Sequence, residues 1–431
     1  MNPATDFYRG EVPSSSPHGQ VPNPREAPAK ITIDINELKD YNRFRVLYTR
    51  IAKLGEGGDG AVYAYEDRST KAVVAVKTAH GDWRAPSDTL MKEASNLQLL
   101  GKHDHIVEML SYSVNFLPRP PAIFLPLCEF GDLYCYKKKL WKQQRKPRTS
   151  EVTIWKLLKD MSLALNFIHN HNKQRACYIH HDLKPGNILV TFPAGGDRNR
   201  VPVEPVFKLT DFSRMREFPI SPDADADKDW HGCGTPEYAP SASEQANVRP
   251  SGDIWSLGAT LQDFALNIAP TQSRESFIRA RRAQGKQCPR YNENSSWHDI
   301  SWRSLIPTRY RPLNADIAEL KTKHDVPVLP PSFENSYRPY STQLSVWYQA
   351  LWNPNEVERI SAATLVRECV PLIDGYIAIA KSMEHVDQCF DRARKLREQT
   401  RRRQAGRPLL PAKRVQARKP PSYEGNEWDS Q

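Results

Sequence analysis

The sequence predicts an α+β protein in which a small lobe rich in β-strands precedes a larger, mainly helical lobe. Strand-like segments rich in Val, Tyr and Leu alternate with turns through residues 44–127, with one helical segment among them. After Gly131 apolar residues recur at helical spacing, most clearly in the helix predicted to follow Ser150. The 431 residues are enough for one two-lobed domain of about 300 residues with tails.

Five strands and one helix are expected in the small lobe. The strands are predicted at residues 44–54, 61–66, 71–79, 106–114 and 122–127. Ser87 or Asp88 can cap the helix, which should end at Gly101 and which places Leu90 and Leu97 at helical spacing.

Two segments of different composition interrupt the large lobe. Residues 193–205 are rich in Pro, Gly and charged side chains, which predicts a loop between short strands. A helix is predicted at residues 253–266. Residues 270–340 then contain many Pro and Arg without clear periodicity, and they predict an extended, partly irregular insertion.

The two ends of the chain have compositions typical of disordered segments. Residues 1–35 contain six prolines and few large apolar side chains. Residues 392–419 contain 12 Lys and Arg and one acidic residue, which equals the net charge of +11 of the whole chain. We therefore expect a folded domain at residues 44–375, followed at 376–431 by a helical extension and a basic, disordered tail.

The composition argues against secreted and membrane proteins. The seven cysteines are scattered and form no C-x-x-C pair, so neither a disulfide framework nor a zinc site is expected. The first ten residues lack an apolar signal region, and no run of about 18 apolar residues occurs. An intracellular protein of the cytoplasm or nucleus, without membrane association, is expected.

The strongest functional signal is one short loop. Residues 180–187 read HHDLKPGN, and DFS follows at 211–213. Asp182, Lys184 and Asn187 thus bring a carboxylate, an ammonium group and an amide together, and Asp211 adds a second carboxylate. Phosphoryl transfer needs a carboxylate to orient the attacking hydroxyl, a cation at the γ-phosphate, and oxygen ligands for Mg²⁺.

A glycine-rich turn lies upstream, between the first two predicted strands. Gly55, Gly57 and Gly60 lack Cβ atoms, so the backbone can approach phosphates and offer them N–H groups. Taken alone, this pattern favours a plain hairpin turn. Its position 17 residues before Lys77, which ends an apolar strand, favours a phosphate-binding loop instead.

In this order the motifs resemble the catalytic domain of eukaryotic protein kinases, over about residues 44–375. The resemblance implies the bilobal protein kinase fold, with a small lobe at about 44–127 and a large lobe at about 128–375. It implies ATP and Mg²⁺ as cofactors and a protein as the substrate. Lys184, two residues after Asp182, and the sequence GTPEY at 234–238 resemble the Ser/Thr type.

The resemblance also implies a role for each catalytic residue. Asp182 would orient the substrate hydroxyl and accept its proton, and Lys184 would neutralise the γ-phosphate. Lys77 would hold the α- and β-phosphates through an ion pair with Glu93, although a lysine that leaves the sheet edge for water is the plainer alternative.

Metal and nucleotide ligands follow from the same resemblance. Asn187 and Asp211 would bind Mg²⁺. Leu125 stands at the position beside the adenine that limits access to the pocket behind it. The full nucleotide-binding set would be Gly55, Gly57, Gly60, Val62, Ala75, Lys77, Leu125, Leu127, Cys128 and Leu189.

Several positions depart from the family pattern. The substituted positions are His181 for arginine, Ser213 for the glycine of Asp-Phe-Gly, and Ser241 for the glutamate of Ala-Pro-Glu. The last change removes the usual partner of Arg359, unless Glu237 or Glu244 replaces it.

Three functions remain open at the level of sequence. An active serine/threonine kinase is favoured because all the catalytic residues are retained. A pseudokinase scaffold, which binds nucleotide with little transfer, is favoured by the altered DFS and APS motifs. A nucleic-acid binder built on the basic tail is disfavoured, because residues 392–419 contain no aromatic side chain for base stacking. The tail's charge fits a polyanion or an import receptor.

The activation segment predicts an unusual form of regulation. In many kinases an arginine at the position of His181 pairs with a phosphorylated residue, and a neutral imidazole cannot supply that charge. Ser221 is the only hydroxyl residue between 214 and 230, and four aspartates follow it at 223, 225, 227 and 229. We therefore expect no requirement for phosphorylation of this segment.

Overall fold

The computed structural model describes residues 38, 41–57, 60–79, 84–116, 120–172, 174–219, 234–241, 244, 248–288, 299–326 and 329–404. The chain divides into two compact units, residues 1–377 and 378–431. The first unit contains a small lobe with a five-stranded sheet and a larger helical lobe, which confirms the predicted α+β class.

The described part of the small lobe is one antiparallel sheet with two helices. Its strands follow the order β1-β2-β3-β5-β4 across the sheet. The elements are α1 (Tyr41–Leu47), β1 (Tyr48–Gly57), β2 (Gly60–Asp67), β3 (Val73–Ala79), α2 (Arg84–Leu100), β4 (Ser111–Ser113) and β5 (Ala122–Pro126). Along β2, Gly60, Ala61, Ala64 and Asp67 are buried and the residues between them are half-buried.

The prediction of a strand over residues 44–54 is wrong in its first four residues. These residues belong to helix α1, and strand β1 begins only at Tyr48. Phe44 is 1% exposed and stacks on Tyr48 at 4.6 Å between ring centroids, with Phe116 and Phe124 at 5.3 and 5.4 Å. Burial in this aromatic cluster outweighs the weak local preference for strand.

The strand predicted at 106–114 is mostly absent. Only Ser111–Ser113 pair with β5 in the small lobe. Ile106 instead forms an isolated bridge with Leu209, and Val107 N donates to Leu209 O at 2.9 Å. The apolar run is therefore divided between two lobes, which the alternation of residues alone cannot reveal.

The large lobe is helical around a few short strands. Its elements are α3 (Leu133–Gln144), α4 (Glu151–Asn166), β6 (Cys177–Ile179), β7 (Ile188–Thr191), β8 (Val206–Leu209), β9 (Arg216–Phe218), α5 (Pro250–Leu266), α6 (Arg274–Ala283), α7 (Ile300–Arg303), α8 (Ile317–Lys323), α9 (Pro331–Ser336), α10 (Thr342–Ala350), α11 (Ala362–Thr364) and α12 (Val370–Gln404). The predicted apolar face of α4 is buried, and α5 begins three residues earlier than predicted.

Both insertions pack on the large lobe. Residues 193–205 form the expected loop between β7 and β8, and Thr153 Oγ1 donates to Val203 O at 2.7 Å. Where the structure describes residues 270–340, they carry four short helices, α6 to α9, rather than an extended chain. Arg311 is fully buried and donates to the carbonyls of Ala269, Thr271 and Asp325, each at 2.9 Å. Side-chain bonds of this kind to non-local carbonyls leave no periodicity in the sequence.

The C-terminal helix extends further than the sequence predicts. Helix α12 continues to Gln404, so residues 392–404 of the basic segment are helical rather than disordered. The predictions for residues 1–35 and for the rest of the basic tail lie outside the described residues. Among the helices that the structure describes, none has the length and apolarity to cross a membrane.

Candidate active site

A buried ion pair connects the sheet of the small lobe to helix α2. Lys77 lies on β3, and its Nζ is 2.6 Å from Glu93 Oε2 and 3.3 Å from Asp211 Oδ1. Burial would lower the pKa of Lys77, but the two carboxylates outweigh burial and raise that pKa above its usual value. Lys77 therefore remains positively charged within this ion pair, and its side chain does not extend from the sheet edge into water.

The second carboxylate of the site is held in a left-handed backbone conformation. Asp211 has φ 62° and ψ 70°. Phe212 is fully buried, and its carbonyl accepts a 2.7 Å hydrogen bond from Asn96 Nδ2 on α2. Ser213 Oγ donates to Asp211 Oδ1 at 2.8 Å, so serine in place of glycine adds a contact to this carboxylate.

The protonation of Asp211 is set by these neighbours. Burial would raise its pKa, but Lys77 and the hydrogen bond from Ser213 lower it to about 2. Asp211 is therefore ionised throughout the physiological range and can act as an oxygen ligand for a cation.

The catalytic loop gathers three polar donors around Asp182. Oδ2 accepts from Lys184 Nζ at 2.8 Å and from Asn187 Nδ2 at 3.1 Å. Oδ1 accepts from Thr235 Oγ1 at 3.0 Å, and Lys184 Nζ also donates to Thr235 Oγ1 at 2.7 Å. Thr235 lies in the GTPEY segment, so the catalytic loop and that segment share one hydrogen-bonded cluster.

Asp253, near the start of α5, accepts hydrogen bonds from the backbone of the catalytic loop. Its Oδ2 lies 2.9 Å from His169 Nε2 and accepts from His180 N at 2.8 Å, while Oδ1 accepts from His181 N at 2.9 Å. Burial would raise the pKa of Asp253, but these contacts, led by the bond with His169, lower it. An ionised, buried carboxylate thus fixes the backbone just before Asp182.

The donor set fits a magnesium ion. Asn187 uses its nitrogen to donate to Asp182, so its amide oxygen is the atom that can bind a cation. Together with Asp211 it offers one amide oxygen and one carboxylate. Mg²⁺ is usually held by one or two such protein groups, with phosphate and water completing its shell. Among the described residues, no group of three or more His, Cys, Asp or Glu is placed to hold a metal ion.

The residues expected around the adenine lie where the lobes join. Ala75 on β3 pairs with Leu125 on β5, and both are nearly buried. The segment after β5 is bound to β7, the strand that carries Leu189, because Phe130 N donates to Val190 O at 3.1 Å. Leu127 and Cys128 lie within this connection. Burial raises the pKa of the Cys128 thiol to about 12, so it remains protonated.

The glycines of the upstream turn have two different roles. A Cβ on Gly60 would lie 2.1 Å from Thr78 O, so the pairing of β2 with β3 requires glycine there. A Cβ on Gly55 or Gly57 would meet no atom within 4 Å. The space above these two glycines is open, as a phosphate-binding loop requires. Val62, on β2, pairs with Lys77 of β3 on one side and with Gly55 of β1 on the other.

Arg303 is a site residue that the sequence does not indicate. It belongs to α7 in the 270–340 insertion and binds Glu237 of the GTPEY segment through two hydrogen bonds of 2.6 and 2.8 Å. The next residue, Tyr238, donates to Asp263 Oδ2 at 2.7 Å. The insertion therefore holds the segment that carries Thr235. Arg303 and Glu237 are 66 residues apart, so no local sequence pattern indicates that they bind each other.

The missing partner of Arg359 is Glu244. The two side chains form a bidentate pair at 2.8 and 2.9 Å, and the Arg359 side chain is fully buried. Arg359 also donates to Ser251 O and to Asn353 O, each at 2.9 Å. Of the two candidates from the sequence, Glu237 is engaged by Arg303, and Glu244 takes the place of the absent glutamate.

His181 is neutral in this environment. Burial is the main cause that lowers its pKa to about 4, with Arg216 and Arg214 adding to the effect and Asp253 opposing it. The expectation that this position supplies no positive charge near pH 7 agrees with these surroundings. Ser221 and the four acidic residues after it lie outside the described residues.

Comparison with known proteins identifies relatives of the folded domain. The mitosis inhibitor protein kinase wee1 of Schizosaccharomyces pombe is 28% identical over 278 residues, covering 63% of this chain and 28% of that protein. The serine/threonine-protein kinase ATG1 of Gibberella zeae is 27% identical over 260 residues, covering 52% of this chain and 26% of that protein. Cyclin-dependent kinase B2-1 of Oryza sativa subsp. japonica is 26% identical over 313 residues, covering 69% of this chain and 88% of that protein.

The chain thus spans about a quarter of the length of the first two relatives, and the likeness concerns a domain. A family model described as the protein kinase domain matches residues 48–369, which is most of the chain. The match covers both lobes and the clusters around Lys77 and Asp182. The resemblance seen in the sequence is confirmed: this chain belongs to the protein kinase domain family.

Proposed function

We propose that this chain is an active serine/threonine protein kinase, which transfers the γ-phosphoryl group of ATP to serine or threonine hydroxyls of proteins. One observation carries the proposal. Lys77 contacts Glu93 at 2.6 Å and Asp211 at 3.3 Å, so the small lobe, helix α2 and the Asp211 segment are joined in one place. Active kinases require this ion pair and the metal-binding aspartate together.

Asp182 is the group that would receive the proton of the substrate. Its Oδ1 accepts one bond, from Thr235, and can accept a second from an incoming hydroxyl. As the hydroxyl oxygen attacks phosphorus, its proton passes to the Asp182 carboxylate. Lys184, 2.8 Å from Asp182, would place its charge beside the transferred phosphoryl group.

The remaining groups would neutralise the negative charge of the ATP phosphates. Lys77 supplies a fixed positive charge for the α- and β-phosphates. Asn187 and Asp211 would hold Mg²⁺, which supplies further neutralisation of the phosphate oxygens when bound. Gly55 and Gly57 leave open space in which backbone N–H groups can reach phosphate oxygens.

Specificity for serine and threonine is supported by the Lys184–Thr235–Asp182 cluster and by the likeness to ATG1, which is named a serine/threonine-protein kinase. The full chain should be incubated with Mg·ATP and matched peptides that differ only in a Ser, Thr or Tyr acceptor, and the phosphorylated amino acid identified. Phosphate on Ser or Thr is expected. Phosphate on Tyr alone would overturn the substrate class.

A pseudokinase scaffold is the second candidate, and one contact favours it. Ser213 Oγ and Lys77 Nζ both donate hydrogen bonds to Asp211 Oδ1, so a metal ion must share this oxygen or bind Oδ2. The two candidates differ in one result. A scaffold would gain thermal stability from Mg·ATP, by mass action on the native state, yet would transfer no phosphate to any peptide.

The regulation of the proposed kinase should not depend on phosphorylation of its activation segment. Neutral, half-buried His181 cannot order a phosphorylated segment as an arginine does. Phosphatase-treated protein and a Ser221→Ala variant should each keep most of the transfer rate. A loss of about 100-fold in either, which is the size of a lost transition-state contact, would contradict this expectation.

The basic segment is proposed to bind a polyanion or a nuclear import receptor. Seven of its Lys and Arg lie on α12, within residues 392–404. Changing Arg401, Arg402 and Arg403 to Gln should lower the salt concentration at which the chain leaves a heparin column, since fewer counterions are released. The same substitution at exposed Lys138, Lys142 and Lys286 is the matched control. Equal shifts in both variants would show only an effect of net charge.

A further inference from the structure

Helix α12 carries a row of exposed apolar side chains within the second unit. Ile379, Met383, Val386 and Phe390 are 62%, 60%, 45% and 71% exposed. We call this row the 379–390 stripe. Its spacings of four, three and four residues match the a and d positions of a heptad repeat, in which two helices pack along a shared seam.

The regular spacing of the stripe distinguishes it from apolar residues that are scattered singly over a protein surface. Single exposed apolar residues are ordinary on soluble proteins, whereas a contiguous apolar row marks a contact surface. A stripe restricted to a and d positions is narrow, and it fits one other helix rather than the broad face of a domain. Within the described part of the chain, these side chains remain exposed.

The charges on the helix indicate the direction of its partner. Residues 378–391 contain three acidic residues and one lysine, whereas residues 392–404 contain seven Lys and Arg and one acidic residue. Two parallel copies would place the basic ends side by side. Two antiparallel copies would place the basic end of each helix along the acidic half of the other, and opposite charges then face each other across the seam.

We infer that two copies of this chain associate through the 379–390 stripe as an antiparallel helix pair. In the antiparallel register that we choose, Val386 of each copy lies opposite Phe390 of the other, Met383 opposite Ala393, and Ile379 opposite the aliphatic stem of Arg397. Asp387 and Arg394 both occupy e positions, which face e positions in antiparallel pairs, so two Asp387–Arg394 contacts form between the copies. Arg394 is also 3.1 Å from Asp391 on its own helix, but both groups are exposed and such a pair costs little to break.

Sedimentation of the full chain over a range of concentrations tests the surface. Wild type should show a monomer–dimer equilibrium. A Met383→Glu, Phe390→Glu variant should remain monomeric at every concentration, while Gln388→Glu, a change at an exposed residue off the stripe, should sediment like wild type. A wild-type monomer at all concentrations, or a dimer that survives the double substitution, would overturn the inference. Circular dichroism checks that α12 stays helical in both variants.

A charge exchange tests the antiparallel arrangement. Asp387→Arg should raise the dissociation constant of the dimer about tenfold, because each of the two contacts becomes repulsive. Adding Arg394→Asp should restore the wild-type constant, since both contacts then have opposite charges again. In a parallel pair these two residues do not meet, so a double variant as weak as Asp387→Arg would refute the arrangement.

Discussion

Replacing Lys77 with Met should reduce phosphoryl transfer by at least about 100-fold. The change removes the cation that lies 2.6 Å from Glu93 and 3.3 Å from Asp211. It also removes a main cause of the low pKa of Asp211, which is about 2, so this pKa should rise and leave less of the ionised ligand available. Initial rates with Mg·ATP and a Ser/Thr peptide measure the effect.

The matched control for this variant is Lys92→Met, since Lys92 is an exposed lysine next to Glu93 on α2. It should leave the rate unchanged. Far-UV circular dichroism must show that both variants are folded, because Lys77→Met leaves Glu93, which is 1% exposed, without this cation. Wild-type transfer by folded Lys77→Met protein would rule out the assigned role of Lys77.

Replacing Arg359 with Met should lower the free energy of unfolding by about 3–5 kcal/mol. The side chain is fully buried and binds Glu244 through two hydrogen bonds of 2.8 and 2.9 Å. Its loss leaves an uncompensated carboxylate and also the carbonyls of Ser251 and Asn353 without this donor. Urea unfolding of the two proteins measures the difference.

Two further variants show the origin of this effect. Arg359→Lys keeps the charge but cannot form the bidentate pair, so its stability should lie between those of wild type and Arg359→Met. Arg367→Met changes an exposed arginine, 68% accessible, and should have almost no effect. A loss below about 1 kcal/mol for Arg359→Met, as for an exposed ion pair, would show that Glu244 does not replace the missing glutamate.

The clustered part of the site could be predicted because its residues belong to short motifs. Asp182, Lys184 and Asn187 lie within six residues, where the order of chemical groups is visible directly. Lys77 and Glu93 are separated by one turn and part of a helix, and the strand and helix patterns around them indicate which faces they occupy. The structure brings these residues together with Asp211.

Other features depend on distant contacts that leave no local pattern. Arg303 and Glu237 are 66 residues apart, and Arg359 and Glu244 are 115 residues apart. Only the fold brings these charges together, so the sequence could leave two partners open for Arg359 and offer none for Arg303. For the same reason helix α1 was beyond prediction, because the aromatic cluster that buries Phe44 is assembled from separate strands.

Asp182→Asn tests most directly whether the chain is an enzyme. Asparagine keeps the size of the side chain and an acceptor oxygen, but it cannot take the proton of the attacking hydroxyl. The full chain and the variant should be compared for binding of Mg·ATP, by thermal shift, and for transfer to a Ser/Thr peptide. We expect equal stabilisation by Mg·ATP, transfer by wild type, and a rate at least about 100-fold lower for Asp182→Asn. Wild-type protein that binds Mg·ATP but transfers no phosphate, or a variant that transfers at the wild-type rate, would contradict the assignment of this site as a kinase active site.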